Sequence, residues 1–378
     1  MSSEPRDAAP GPAADHPPAG FVLGPATRVL WRAPDSVGLE LGSDGVVLDG
    51  VGPPLIAALR TGGVPGDSDP QTVRVLGELR RRGYLWRHPG ATDDPDAPDD
   101  RCTPPAPRLG PELVALSARQ GERAAELLDA RRHAAIVVSG TGRAGPHLAA
   151  LLAASGVGRV HCPGAGSARL HHALPGGVTP ADEGRSFAGA AAAAVVRAAP
   201  EADPQPPPAG ELPDLVVLAV DEPVDENRRA ALHADRVPHL LVSLGPTSGT
   251  IGPLVVPGLT SCLRCADLHR RDRDPRWPAL AAQLSVAPRY GPASDAALAT
   301  SLVGAAAHQV LTFLDGGDPA TVEGSLELHL PDWRLRRRTR PLHHDCDCCA
   351  VSADSPVDRA ETGAADSSRE GWAQWRGE

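Results

Sequence analysis

The stretch Ala134–Gly145, AAIVVSGTGRAG, decides the reading of this sequence. Its first part is a continuous apolar run, the pattern of a parallel strand buried on both faces. Its second part is Gly140-x-Gly142-x-x-Gly145, which leaves that strand and leads into an alanine- and leucine-rich helix ending near Ser155. Glycines at these positions permit a tight turn, close backbone approach to phosphates and tight helix–strand packing. The context predicts a Rossmann-like α/β fold. The turn itself either cradles a nucleotide or serves packing alone. The usual ribose-binding acid at the end of the next strand is missing, because no Asp or Glu occurs between residues 155 and 181.

Downstream of this stretch, strands and helices alternate. Arg159–Cys162 reads as a short strand, residues 180–199 as helical, Asp214–Val220 as a buried strand, Glu226–Ala234 as a helix and His239–Ser243 as a strand. This alternation predicts a doubly wound parallel sheet. Residues 252–256 and 324–338 add strand-like segments, and Ala293–Asp315 reads as a long helix. Upstream, one helix is expected over about Pro111–Arg131.

A smaller module precedes it. Arg28–Arg32, Val37–Leu41 and Gly45–Leu48 are strand-like, Pro53–Arg60 and Thr72–Arg82 are helical, and Gly83–Trp86 closes the module as a strand. Strands with two helices in so short a span suggest a winged-helix-like domain over residues 21–86. Residues 87–107 read as an acidic, proline-rich linker, and 108–350 as the Rossmann-like domain. Residues 1–20 and 351–378 read as disordered arms.

The chain has 378 residues and a formal charge of −10. Most of that charge falls in the two arms and the linker, so the folded part is close to neutral. Aromatic residues are only 3%. A nucleic-acid-binding surface is therefore not expected. All 37 basic residues are arginine, which excludes a P-loop lysine and a Schiff-base lysine. The N-terminus is acidic and proline-rich rather than basic then apolar, so no signal peptide is expected. The run Ala188–Ala199 is too short to cross a membrane, and no 18-residue apolar span is read elsewhere. The expectation is a cytoplasmic protein.

Cysteines carry the clearest chemistry. Cys262-Leu-Arg-Cys265 and Cys346-Asp-Cys348-Cys349 offer two pairs of thiols. Four thiolates form the tetrahedral set of a structural zinc ion. Cys346 with Cys349 has the CxxC spacing, and Cys348 competes with Cys349 for the fourth place. A redox pair is the other reading, and His343 or His344 are alternative ligands. Cys102 lies in the linker and Cys162 at a strand end. Asp221 ends the run DLVVLAV at the edge where such sheets bind ligands. It either holds Mg²⁺ beside phosphates or is a loop acid. Arg334–Arg340, RLRRRTR, is either a cationic patch for an acidic peptide or an exposed strand.

Together these residues resemble the ThiF/MoeB/HesA superfamily, the ubiquitin-activating-enzyme-like proteins, over about residues 110–350. Ser261–Cys265 is similar to that family's first zinc knuckle. Asp182-Glu-Gly184-Arg185 is similar to its Asp-x-Gly-Lys segment, and Asp221 falls at its Mg²⁺-linked aspartate. The resemblance implies ATP and Mg²⁺ held by Gly140, Gly142, Gly145 and Asp221, with Asp221 catalytic. It also implies zinc held by Cys262, Cys265, Cys346 and Cys349. Departures are specific. The family's phosphate-contacting lysine falls near Phe187, Arg143-Ala144 replace a double glycine, and Arg169 is the nearest candidate for the Asn-x-x-Arg-Gln arginine. The small N-terminal module makes the chain resemble, more closely, the ThiF-like partners of azoline-forming cyclodehydratase systems in bacteriocin biosynthesis. That resemblance implies a degenerate ATP site, binding of a precursor leader peptide by strand addition, a separate YcaO-type enzyme as partner, and a homodimer. The alternative it leaves open is an active adenylyltransferase acting on the C-terminal carboxylate of a small protein or peptide.

Overall fold

The computed structural model describes residues 21–41, 44–64, 69–87, 106–220, 224–284 and 294–348. The chain divides into two compact units, Met1–Asp129 and Ala130–Glu378. The division falls later than the linker read from composition, whose residues lie mostly outside the described part.

The first unit contains β1 (Phe21–Leu23), β2 (Arg28–Ala33), β3 (Ser36–Leu41), β4 (Asp44–Asp49), α1 (Pro53–Arg60), α2 (Pro70–Arg81), β5 (Leu85–Arg87) and α3 (Gly110–Gln120). Strands β2, β3 and β4 form an antiparallel meander, and β1 pairs with β5 as a separate ribbon. Val37 and Leu39 of the meander pack with Leu55 and Leu59 of α1 and Leu76 and Leu79 of α2. α1 opens with Pro53, whose missing N–H costs nothing at a helix start. Asp69 caps α2 by accepting from the amides of Gln71 and Thr72. The single helix expected over 111–131 is two. Gly121, at φ +60°, breaks it, and α4 (Ala124–His133) follows after a short 3₁₀ turn.

The second unit is a seven-stranded mixed sheet between helices. In chain order it comprises β6 (Ala135–Ser139), α5 (Ala144–Ala154), β7 (Arg159–His161), α6 (Phe187–Ala198), β8 (Leu215–Ala219), α7 (Glu226–Ala234), β9 (His239–Leu244), β10 (Ser248–Val255), α8 (Leu263–Arg273), α9 (Trp277–Leu284), α10 (Ala296–Leu314), β11 (Gly324–His329) and β12 (Arg334–Thr339). The order across the sheet is β12-β11-β10-β9-β8-β6-β7. The strands from β7 to β9 are parallel, as the βαβ pattern requires. β10, β11 and β12 run antiparallel and extend the sheet beyond the expected parallel half. Short turns join β9 to β10 and β11 to β12, and such turns can only reverse the chain.

Both faces of the parallel half are covered. Ile136, Val138, Val217 and Leu240 face one core with α5, α6 and α10. Val137, Val216 and Leu218 face the other with Leu232 of α7 and Leu263 of α8. This two-sided burial explains the unbroken apolar strands. α10 corrects the expectation that no long apolar span exists. It is 19 residues and apolar enough, by length and composition, to cross a bilayer. Thr300, Ser301, His308 and Gln309 obscure the run in the sequence. In the fold, Leu298, Leu302, Val303, Ala306 and Val310 bury its inner face against the sheet.

Beneath α10 lies a buried ion pair. Arg131 and Asp315 meet through two parallel bonds, Nε to Oδ1 at 2.7 Å and Nη2 to Oδ2 at 2.6 Å. Arg131 is 1% exposed and also donates to the Ser155 carbonyl.

Candidate functional site

The glycine turn sits at the carboxyl end of β6, where α/β sheets of this kind bind ligands. Gly140 is fixed by contact: a Cβ there would lie 1.8 Å from the Ala219 carbonyl oxygen of β8. A Cβ on Gly145 would lie 2.9 Å from the Gly140 oxygen. Both glycines are therefore required by packing, whatever else the turn does. Gly142 is half-buried at its crest.

Arg143 and His161, beside the turn, bond backbone carbonyls, while the buried Arg143 Nε and His147 Nδ1 find no partner among the described residues. Arg143 donates to the carbonyls of Ala173, at 2.7 Å, and Ser294, at 3.0 Å. His161, at the place of the ribose-binding acid, bonds the Pro204 carbonyl through Nδ1 at 3.0 Å. Phe187, near the position of the phosphate-contacting lysine, is 1% exposed and is part of the core. Its ring lies where a Cβ on Gly164 would approach within 2.3 Å, and it meets His172 edge-on at 5.2 Å. Cys162 is buried nearby, and loss of solvation pushes its thiol up to about 12, so it is an inert core residue.

Asp182 is also buried, at 3% exposure. Its burial alone would raise the carboxyl pKa. Hydrogen bonds from the hydroxyl and amide of Thr179, with Arg197 and Arg185, outweigh that and hold it below the ordinary range. The Asp182–Arg185 segment is thus a closed knot of ion pairs. Asp221 lies outside the described residues.

The cysteines do converge. Cys262 and Cys265 open α8, and Cys346 and Cys348 follow β12. Their sulfurs lie 3.8 Å apart for Cys262–Cys265, 3.7 Å for Cys262–Cys346 and 3.6 Å for Cys265–Cys348. A tetrahedral ion with sulfurs ~2.3 Å away sets its ligands about 3.8 Å apart. Hydrogen bonds from Cys262, then Cys348, then the His343 amide hold the Cys265 thiol far below its ordinary range. This spacing fits a zinc ion held by all four sulfurs. The fourth sulfur here is Cys348; Cys349, which the CxxC spacing favours, lies outside the described residues. His343 does not compete. Its Nε2 meets Asp272 at 2.7 Å and its Nδ1 accepts from the Asp345 amide.

Sequence reading missed two histidines. His147, in the first turn of α5, is buried against Gly176 and Gly177, and burial lowers its pKa. His239, at the start of β9, is 1% exposed. Each lies in an apolar context with no local motif to mark it.

A parallel Rossmann-like half, an antiparallel arm and a cluster of four thiols make up a fold that this chain shares with solved structures. Among solved structures it is similar to E. coli MccB in complex with ATP, with a TM-score of 0.63 and 14% identity over 87% of this chain and 99% of that one. The microcin C7 biosynthetic enzyme MccB in complex with N-formylated MccA gives a TM-score of 0.62 and 14% identity at the same coverage. PaaA gives 0.61 and 15% identity over 84% of this chain and 99% of that one. At these identities the likeness is one of fold. No protein-family profile and no curated protein sequence matches the chain.

Proposed function

We propose that this chain is a zinc-stabilised, ThiF-like scaffold that binds the leader of a ribosomal precursor peptide and presents it to a separate YcaO-type, ATP-using enzyme in the cytoplasm. Phe187 carries the proposal. A buried phenyl ring near the lysine position removes a phosphate contact, and no lysine elsewhere in the chain replaces it. Arg143 and His161, spent on carbonyls, support the same reading.

The N-terminal meander supports the peptide half of the proposal. β2 and β4 are its edges, and each leaves one side of its backbone unpaired within the meander. Leu30, Gly38 and Val47 are cross-strand neighbours in a row. Leu30 and Val47 are each 48% exposed, on the face opposite the buried row of Val37 and Leu48. Exposed apolar side chains on a sheet with free edges suit an added peptide strand, whose main chain pairs with the edge while its alternate side chains meet the apolar row. MccB in complex with MccA lends the fold-level precedent of a peptide partner. Zinc would hold α8 to the segment after β12, without an open position for catalysis.

Calorimetry with ATP·Mg²⁺ and a pyrophosphate-exchange assay test the proposal. The expected result is neither micromolar binding nor exchange, alongside leader-peptide binding by the same preparation. Micromolar ATP binding with exchange would overturn it in favour of an adenylyltransferase. Arg185 favours that second reading, since it stands at the basic position of the Asp-x-Gly-Lys segment. Asp221→Ala would then abolish exchange.

A further inference from the structure

The run Arg334–Thr339 forms β12, the outer strand of the seven-stranded sheet. β11 pairs one side of its main chain. Among the described residues nothing bonds the other side of Leu335–Thr339, and every residue of the strand is exposed. An unpaired edge of this kind is a template for a further strand.

The side chains of β12 fall on two faces. Arg334, Arg336 and Arg338 stand opposite His329, Glu327 and Ser325 of β11, so they share one face at intervals of about 6.8 Å. Leu335 falls on the other face and is 52% exposed. The arginine face carries more positive charge than its neighbours neutralise. Asp332 bonds Arg336. Glu327 is shared between Arg338 and Arg340, which follows the strand. Among the described residues Arg334 makes no ion pair. The crowding reaches Arg340, whose pKa is lowered by burial and then by the Arg270 guanidinium, against the pull of Glu327. The same charges set this edge against a second copy of itself, because pairing would bring guanidiniums together.

We propose that β12 is a docking edge for an extended acidic segment of a partner protein, in which Asp or Glu alternates with apolar residues. The added main chain pairs with the free edge. Its carboxylates stand beside Arg334, Arg336 and Arg338, and its apolar side chains beside Leu335. A nucleic-acid strand would meet the guanidiniums but leave the main-chain groups of the edge unmet. The proposal rests on the second unit alone, not on peptide binding by the N-terminal meander.

The probe is a fluorescein-labelled Asp-Val-Asp-Val-Asp-Val peptide, titrated into the full chain and read by anisotropy. Saturable binding is expected. Arg334→Glu combined with Arg336→Glu should weaken it at least about tenfold and leave melting nearly unchanged, since both side chains are exposed. The isomer Asp-Asp-Asp-Val-Val-Val, with equal charge and no alternation, should bind about tenfold more weakly, as should the alternating peptide with every amide N-methylated. Val47→Asp, on the meander, should leave the affinity unchanged. No saturation at millimolar peptide would overturn the proposal, as would equal binding of the isomer or of the methylated peptide, or loss of binding in Val47→Asp. Tighter binding of oligo-dT would overturn it in favour of nucleic acid. A tenfold gain in affinity on removing residues 351–378 would overturn it in favour of the chain's own tail.

Discussion

Asp315 and His239 show what single buried groups do in this chain. Removing one partner from a buried, bidentate ion pair strands the other charge, which typically costs ~3–5 kcal/mol. Asp315→Ala should lower unfolding free energy by about that amount in urea titration, because Arg131 cannot reach water. His239 makes stability depend on pH. Burial, reinforced by His233 and Arg228, lowers its pKa from 6.5 to about 4 in the folded chain, against a smaller opposing pull from the Val237 carbonyl. Below pH 6.5 the unfolded chain binds a proton that the folded one refuses, so stability falls as pH drops from 6.5 to 4. The loss amounts to roughly 3 kcal/mol at most. Denaturation of wild type and His239→Gln across that range should show a shallower slope in the variant, where buried His147 still contributes in the same direction. Phe187→Lys should not create ATP binding. It places a cation in the core and should destabilise the fold by more than ~3 kcal/mol, checked by melting and calorimetry.

At the scale of elements, legibility followed burial. The β6–turn–α5 unit was readable because a strand buried on both faces is apolar throughout, and Gly140 and Gly145 are forced by contact. Glu226–Ala234 and Pro53–Arg60 were readable to the residue. α8 and α9 were not anticipated. The arginine-rich run Arg270–Arg276 hides the buried residues Leu263, Cys265, Ala266 and Leu268, and Leu263 and Cys265 pack on a sheet face distant in sequence. β1 escaped because three residues carry no period. The direction of the last three strands depends on turn lengths, which a strand-by-strand reading does not weigh. The thiol set was half legible: Cys262 and Cys265 share one helix start, but the partner of Cys265 depends on how the chain turns after Pro341. Leu30→Asp and Val47→Asp change exposed positions on one face of the meander, so melting should stay nearly constant. Leader-peptide affinity, read by fluorescence anisotropy, should fall at least tenfold if strand addition occurs there.

For the molecule as a whole, the sequence distance between the two thiol pairs matters most. Cys262 and Cys346 are 84 residues apart in the chain. Between them run α8, α9, α10, β11 and all of β12, so one ion would close a loop around most of the antiparallel arm. Closing a loop of this length removes several kcal/mol of freedom from the unfolded chain, by the same reasoning that applies to a long-range disulfide. A metal here is thus a fastener for one part of the chain rather than for all of it. Chelation should open the arm first, with amide exchange rising in α8 and β12 while β6, β8 and α5 keep their protection. Cellular zinc supply would then set how long the arm survives between folding and degradation, and leave the parallel half to stand on its own apolar core.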